Sequence, residues 1–165
     1  MKERFYYLLF LFGLLYSSCG GSGTISYAPS ANASIECIQM MSDGSCLVQV
    51  SETGGSISSA TDAALRAAVY KLIFNGIQGS SKNRIQPVQP LVANESIQNE
   101  KNDYFKSFFK DGLYRNYAET MAGSVPSVRR TSSGYKVTVS IILKKELLRK
   151  KLEKDNIIKS LSNVL

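Results

Sequence analysis

The stretch from Tyr135 to Lys154, YKVTVSIILKKELLRKKLEK, decides the fold class of this chain of 165 residues. In its first half, the apolar side chains alternate along one face: Tyr135, Val137, Val139, Ile141 and Leu143. That period of two predicts a strand with one buried face. In the second half, Leu147, Leu148 and Leu152 recur at helical spacing beneath a basic outer face, which predicts an amphipathic helix.

Two neighbouring stretches supply further strands. Residues 124–131, followed by the Ser-Ser-Gly turn at 132–134, predict a hairpin partner for the strand that begins at Tyr135. Residues 46–52 also alternate and predict a strand of their own. These strands are short and are joined or followed by turn residues, which favours an antiparallel sheet.

An alanine-rich helix is predicted over residues 59–78, directly after the strand at 46–52. Ser59 and Asp62 fit a capping box at its start, and Gly79 fits a helix stop. Its small side chains recur at helical spacing, which indicates close packing on a sheet. These small apolar side chains have the composition of a buried core, and they carry no functional group that would indicate a site.

A second helix is predicted over residues 102–121, NDYFKSFFKDGLYRNYAETM, with Asn102-Asp103 as its cap. One face collects apolar and aromatic side chains: Tyr104, Phe105, Phe108, Phe109, Leu113 and Tyr117. Aromatics between lysines and arginines can stack nucleobases, but at this spacing a core role is favoured. The predicted fold is α+β: an antiparallel sheet that carries the alanine-rich and aromatic helices, followed by the C-terminal basic helix.

The segment 80–101 between these helices resists assignment. Pro87 and Pro90 exclude a helix around them and restrict any strand to a sheet edge. Long structureless loops are uncommon in small domains unless they have a use. The segment is therefore either a mobile insertion or an extended segment that binds a partner, and its aliphatic residues suggest contacts through Ile85, Val88 and Leu91.

The N-terminus has the pattern of an export signal. Lys2 and Arg4 precede the apolar run 5–16, and Ser17 and Ser18 follow it. About 12 residues are too few to cross a bilayer but suit the apolar region of a signal peptide. We therefore expect residues 1–18 to be a cleaved signal peptide.

Leu15-Tyr16-Ser17-Ser18-Cys19 resembles a bacterial lipobox, although Tyr16 departs from the usual pattern and the leucine sits one place early. The resemblance implies cleavage before Cys19 and acylation of that cysteine, an anchor of several buried chains. Residues 19–34 are then expected to be the lipidated cysteine and a flexible tether, and 35–165 a periplasmic α+β domain. Gly20, where an acidic residue would favour the inner membrane, favours the outer membrane facing the periplasm.

Cys37 and Cys46 remain as a pair in an oxidising compartment, which favours a disulfide. Asp43-Gly44 predicts a hairpin turn between them. A two-residue loop there would place Met41 opposite Cys46 and Val50 opposite Cys37, so a bond needs a longer loop or a bulge. Two free thiols are the alternative.

The composition offers little catalytic chemistry. The chain has no histidine, the commonest general base and metal ligand, and its serines lie in no nucleophile motif. Two thiols without a histidine cannot complete a zinc shell. A Gly-Gly pair at 54–55 lacks the lysine of a phosphate-binding loop. We expect a non-enzymatic protein without a metal or another cofactor.

The formal net charge is +7, and much of the excess lies in the C-terminal helix. A solvated face is the simplest explanation; an acidic protein surface or anionic lipid headgroups are the alternatives. Lys150, Lys151 and Lys154 are the candidate contacts on this helix. A periplasmic address removes nucleic acid as a partner.

The order of elements resembles the small α+β domain shared by flagellar assembly T proteins, small outer-membrane lipoproteins and, more loosely, curli-export lipoproteins. The resemblance covers roughly 46–155 and depends on patterns of residue class: Ala60, Ala63, Ala64, Leu65 and Ala68 in the helix, and Tyr135, Val137, Val139, Leu147, Leu148 and Leu152 late in the chain. The segment 80–101 departs from it. It implies a non-enzymatic accessory or scaffold in an envelope-spanning secretion or motility apparatus that contacts other envelope proteins. The alternative is a module that binds peptidoglycan or lipid.

Overall fold

The computed structural model describes residues 27–31 and 33–160, and within them five antiparallel strands form one sheet. The strands are β1 (Ser34–Met40), β2 (Cys46–Gly54), β3 (Ala118–Thr120), β4 (Ser127–Thr131) and β5 (Gly134–Leu143). The helices are α1 (Ile57–Phe74), α2 (Ser96–Glu100), α3 (Asn102–Lys110), α4 (Lys145–Lys154) and a 3₁₀ helix at Leu113–Asn116. The sheet order is β1-β2-β5-β3, and β4 also pairs with β5. The predicted α+β class is confirmed.

Strand β5 is the centre of the sheet, as its alternation predicts. Val137, Val139, Ile141 and Leu143 are buried on the face that α1 covers. Along one edge β5 pairs with β2 from Cys46↔Leu143 to Gly54↔Tyr135; along the other it pairs with β3 and β4. The hairpin with β4 closes through a turn at 132–133.

Helix α1 packs on β2 and β5 through a face of small side chains, including Ala60, Ala64 and Ala68, all fully buried. The predicted capping box is wrong by one turn: Ser56 Oγ accepts from the Ser59 N–H at 3.1 Å, and Ser59 Oγ accepts from the Ser56 N–H at 2.9 Å. Because the cap is at Ser56, the Asp62 side chain takes no part in the capping box.

The end of α1 also comes earlier than predicted. Gly76, with φ of +75°, adopts the left-handed conformation just after the C-cap Asn75, and its N–H donates to Lys71 O at 2.7 Å. Glycine reaches this conformation without strain, which explains the stop there. Gly79 has a different role, because a Cβ at that position would lie 2.0 Å from Ile85 O.

The aromatic helix is shorter than predicted. It ends at Lys110, and Gly112 with φ of +74° turns the chain into the 3₁₀ helix and then into β3. Leu113 is 42% exposed and does not join the apolar face. The remaining aromatics do form a buried cluster, in which the rings of Phe108 and Tyr117 stack at 5.9 Å.

The β1–β2 hairpin has a longer loop than the two-residue turn predicted. Met40 pairs with Cys46, the Met41 N–H donates to Ser45 O at 2.8 Å, and the register shifts at Ile38. Cys37 therefore lies opposite Val48. The sequence required a longer loop or a bulge for the cysteines to approach each other, and the hairpin has both.

Residues 27–31, expected within the tether, are instead bound to the domain. Tyr27 is buried, its ring stacks on Phe109 at 5.1 Å, and its hydroxyl donates to Asn102 Oδ1 at 3.2 Å. Ser30 donates from its N–H and its hydroxyl to the buried Glu52 carboxylate, at 3.2 and 2.7 Å. The domain therefore includes Tyr27 and Ser30, which lie before residue 35. The predicted signal peptide and Cys19 lie outside the described residues.

Candidate partner-binding groove

The segment 80–101, which the sequence offered as a partner surface, meets the chain that follows the basic helix α4; Lys150, Lys151 and Lys154 of that helix lie outside the lining of the site. Part of the segment 80–101 and the chain after α4 enclose an open groove of about 770 Å³. The residues that line it are Leu91, Ala93, Asn94, Ile97, Glu153, Asn156, Ile157, Ile158, Lys159 and Ser160. We call this site the apolar groove. Its two walls are more than fifty positions apart in the sequence, so only tertiary structure brings them together.

One wall of the apolar groove depends on how the segment 80–101 closes the end of α1. The Leu91 N–H donates to Leu72 O at 3.0 Å, and the Val92 N–H donates to Ile73 O at 2.9 Å. Ile77 and Val88 exchange two backbone hydrogen bonds of 2.8 Å. The last carbonyls of a helix have no partner within it, so the segment satisfies two of them here. Its path along the wall is therefore fixed by backbone bonds.

The other wall is made by the turn after α4. Asn156 is left-handed, with φ of +56°, and the Ile157 N–H donates to Leu152 O at 2.9 Å. Asparagine tolerates this conformation better than most residues. The turn sends Ile157 into the core and leaves Ile158 half-buried at the groove.

A hydrogen bond joins this end of α4 to α3, and an ion pair within α4 supports it. Asp155 accepts from the Tyr104 hydroxyl at 2.5 Å and lies 2.8 Å from Lys151 Nζ. Partial burial disfavours the charge on Asp155, yet hydrogen bonds from Lys151 and Tyr104 outweigh it and lower the pKa of that carboxyl. Burial first, then the bond to Asp155, raises the pKa of Tyr104. The tyrosine hydroxyl therefore remains a donor at neutral pH.

The lysines predicted as contacts differ in their roles. Lys151 is committed to Asp155, whereas Lys150 and Lys154 are exposed and form no ion pair with any described residue. Lys159, also exposed, belongs to the groove lining. These free cations favour a partner with acidic groups beside its apolar contact.

The aliphatic residues predicted as contacts are placed differently from the expectation. Val88 and Leu91 are buried, and Ile85 packs half-buried against the core. Val88 is buried against the end of α1, so it is not an exposed contact, which corrects the expectation for that residue. Ile85 keeps part of its surface accessible but does not line the apolar groove, which only Leu91 of the three borders.

Ile97 and Ile158 are the groove residues that the sequence did not single out. The Ser96 N–H donates to Asn94 Oδ1 at 3.0 Å, and the short helix α2 then carries Ile97 to the groove. The available signal was the apolar pair at 157–158 directly after the polar end of α4. Neither residue shows a helical or strand period, so pattern alone did not assign it.

Cys37 and Cys46 are both free thiols and both fully buried. Burial raises the pKa of Cys37, and burial together with the neighbouring Cys37 raises the pKa of Cys46 to about 12. Thiols in this state are protonated at neutral pH and are poor nucleophiles. Because the two thiols are neighbours, the disulfide stays a prediction. The mass of the protein, isolated from its compartment without reduction, would test it.

Among residues 27–31 and 33–160, no set of three or more acidic, cysteine or histidine side chains is arranged to hold a metal ion. No helix in the same ranges combines the length and hydropathy needed to cross a membrane. Comparisons with protein-family models, with curated proteins and with solved structures found no match to the chain.

Proposed function

We propose that this protein is an outer-membrane-anchored periplasmic lipoprotein that acts as a non-enzymatic accessory or scaffold component of an envelope-spanning secretion or motility assembly. The observation that carries the proposal is the apolar groove. Its accessible apolar side chains are the half-buried Ile97 and Ile158, which lie beside the buried Leu91 and Ile157, and the exposed Lys159 belongs to its lining. An apolar centre with charged groups around it is the usual anatomy of a protein-binding site.

The short distance between the proposed anchor and the domain supports this role. Tyr27, which is buried in the domain, follows Cys19 by only eight positions. A fully extended chain of that length spans about 27 Å. Acylation of Cys19 would therefore hold the domain close to the membrane, where the other parts of an envelope assembly lie.

Site-specific photo-crosslinking in intact cells tests the binding role. A photoreactive residue at Ile97 or at Ile158 should trap the same envelope protein, because both positions line one groove. Ser58, exposed at the start of α1, is the control position and should trap no such protein. Crosslinks only to residues 161–165 of the same chain would mean that the groove is filled by its own C-terminus and would refute the binding role.

The anchor has a separate test. The Cys19→Ala variant should lose an incorporated acyl label and leave the membrane fraction, because it has no residue to acylate. The matched control is Cys37→Ala, which removes a buried thiol and should keep the label. Retention of both label and membrane association in Cys19→Ala would contradict the lipoprotein proposal.

Binding of an envelope lipid is a second candidate function, and the size of the apolar groove favours it. A volume of about 770 Å³ falls in the usual range for sites that hold small molecules. Mass spectrometry of the solvent extract of the purified protein should then identify a lipid that Ile97→Trp, which fills the groove, displaces. An extract without lipid, together with a protein crosslink at Ile158, would decide for the scaffold role.

A further inference from the structure

Strand β4 is the most exposed regular element of the described residues. Its first four residues are all exposed and Thr131 is half-buried, and Val125 in the loop before it is 92% exposed. On one side it pairs with β5. Its other edge has no strand partner in the described part of the chain, so alternate backbone groups there face outward.

The charges on this edge are not neutralised by the domain. Arg129 lies directly opposite Lys136 in the register, and Arg130 follows Arg129 in the sequence. None of the three forms an ion pair with a described residue. Like charges directly across a strand pair destabilise a sheet. This arrangement lowers the stability of the fold, so we look for its benefit in binding and not in folding.

The opposite end of β5 shows that this sheet can pair its charges. There Glu119 on β3 accepts from Lys144 at 2.7 Å. Where β3 joins the sheet, a lysine is therefore neutralised by a carboxylate. Where β4 joins it, the cations have no acidic partner among the described residues. Arg129, Arg130 and Lys136 form the patch that we call the basic edge.

We propose that the basic edge binds an extended, acidic segment of another protein, which adds a strand beside β4. The backbone of the segment would satisfy the outward-facing groups of β4, as in other cases of strand addition. A carboxylate of the segment would meet Arg129 and offset its repulsion with Lys136, and the next side chain, on the other face of the added strand, would be apolar and cover Val128, which is 42% exposed. Neither the apolar groove nor the lipid anchor takes part.

A second copy of this chain is a poor occupant for the same edge. Pairing of SVRRT with itself would bring the arginines of one copy beside those of the other. Repulsion between these like charges would oppose such pairing. An acidic partner removes the repulsion that already exists between Arg129 and Lys136, which is why we assign the edge to such a segment.

The test uses the full-length mature protein and three short fluorescent peptides. The probe alternates glutamate with valine or threonine; one control carries lysine for glutamate, and the other carries N-methyl groups on alternate amides. Fluorescence anisotropy measures affinity, and amide chemical shifts locate the bound peptide. Only the unmodified acidic probe should bind, and the shifts should centre on residues 125–131.

Charge-reversal variants separate the basic edge from net charge. Arg129→Glu combined with Arg130→Glu should weaken probe binding by about tenfold or more. Lys150→Glu combined with Lys154→Glu, the same change of charge on α4, should alter it by less than about twofold. Equal losses in both variants, equal binding of the N-methyl peptide, shifts centred on α4, self-association through β4, or no binding of the acidic probe would each overturn the proposal.

Discussion

Two of the outer strands of the sheet, β1 and β4, differ in how their free edges are covered. The edge of β1 is covered by its own chain: the Cys37 N–H donates to Gln78 O at 2.8 Å, and Asn83 Nδ2 donates to Ile38 O at 3.2 Å. The edge of β4 is bare in the described residues and carries Arg129 and Arg130. Among the described residues, the chain covers the edge of β1 and leaves the edge of β4 uncovered.

The closed edge depends on several segments that support one another. Residues 77–80 lie along β1, and the loop at 85–87 packs on Gly79. Tyr27 packs on the end of α1, the helix that precedes residues 77–80. The open edge depends on the β4–β5 hairpin alone. Mutations should therefore have large effects on stability near β1 and small effects near β4.

The largest effect is expected for Tyr27→Ala. It removes a buried ring that stacks on Phe109 and should lower the free energy of unfolding by about 3 kcal/mol. Urea denaturation measures the loss. Tyr27→Phe keeps the ring and loses only the bond to Asn102, so it should cost about 1 kcal/mol. If Tyr27→Ala were as stable as the parent protein, the segment before β1 would contribute nothing to the closed side.

Gly79→Ala should have the next largest effect. The new Cβ would lie 2.0 Å from Ile85 O and 2.7 Å from the Gln86 carbonyl carbon, so the cover of β1 must shift, at about 2 kcal/mol. Hydrogen exchange at the amides of β1 should rise in parallel. Gly55→Ala is the control, since a Cβ there meets nothing within 4 Å. Similar losses for both substitutions would show that backbone entropy, and not the close approach at 79, was responsible.

Alkaline pH should weaken the closed side through its buried thiols. Burial raises the pKa of Cys46 to about 12 and also raises that of Cys37, whereas an unfolded thiol titrates near about 8.5. The stabilising contribution is complete below the unfolded pKa and is lost as pH rises from there through the folded value. Under reducing conditions, Cys46 alone should lower the stability by about 1 kcal/mol per pH unit between about 8.5 and 10, and Cys37 should add to that slope.

A variant without thiols gives the comparison for that pH dependence. Cys37→Ala combined with Cys46→Ala is less stable at every pH because it leaves cavities, but its stability should change less over the same alkaline range. Urea midpoints at successive pH values measure both slopes. Equal slopes in the two proteins would assign the alkaline loss to other groups.

The smallest effect is expected at the open edge, and its sign is the useful part. Arg129→Glu replaces a like-charge pair with Lys136 by an opposite pair and should raise stability by about 0.5 kcal/mol. Arg130 lies opposite Tyr135, so Arg130→Glu should change the stability little. A loss of stability in Arg129→Glu, seen as a lower thermal midpoint, would mean that the arginine supports the fold and would end the contrast between the two edges.

The predictions made from sequence succeeded where one period dominates a stretch. The alternation through β5 and the leucines of α4 are strong local signals, and both elements are present as predicted. Local signals failed at boundaries: Ser56 replaced Ser59 as the cap because both serines precede the same alanine run. Gly112 ended the aromatic helix within a stretch whose apolar residues continue at helical spacing.

The candidate sites were harder to predict than the elements. Ile85, Val88 and Leu91 looked like a surface because nothing nearby in sequence could bury them, whereas the end of α1 does so in space. The basic edge was missed because like charges become opposed only after strands 127–131 and 134–143 are placed in register. Contacts of this kind join residues that no local period connects.

The sequence by itself determined the fold class and its principal elements, because strand and helix periods are properties of consecutive residues. Its N-terminal pattern also carries the whole of the anchor proposal at Cys19. Tertiary structure alone decided which apolar residues remain accessible, that Tyr27 belongs to the core, and that β1 is covered while β4 is open. The physical reason is that burial and charge pairing depend on distances between segments, and those distances exist only once the chain has folded.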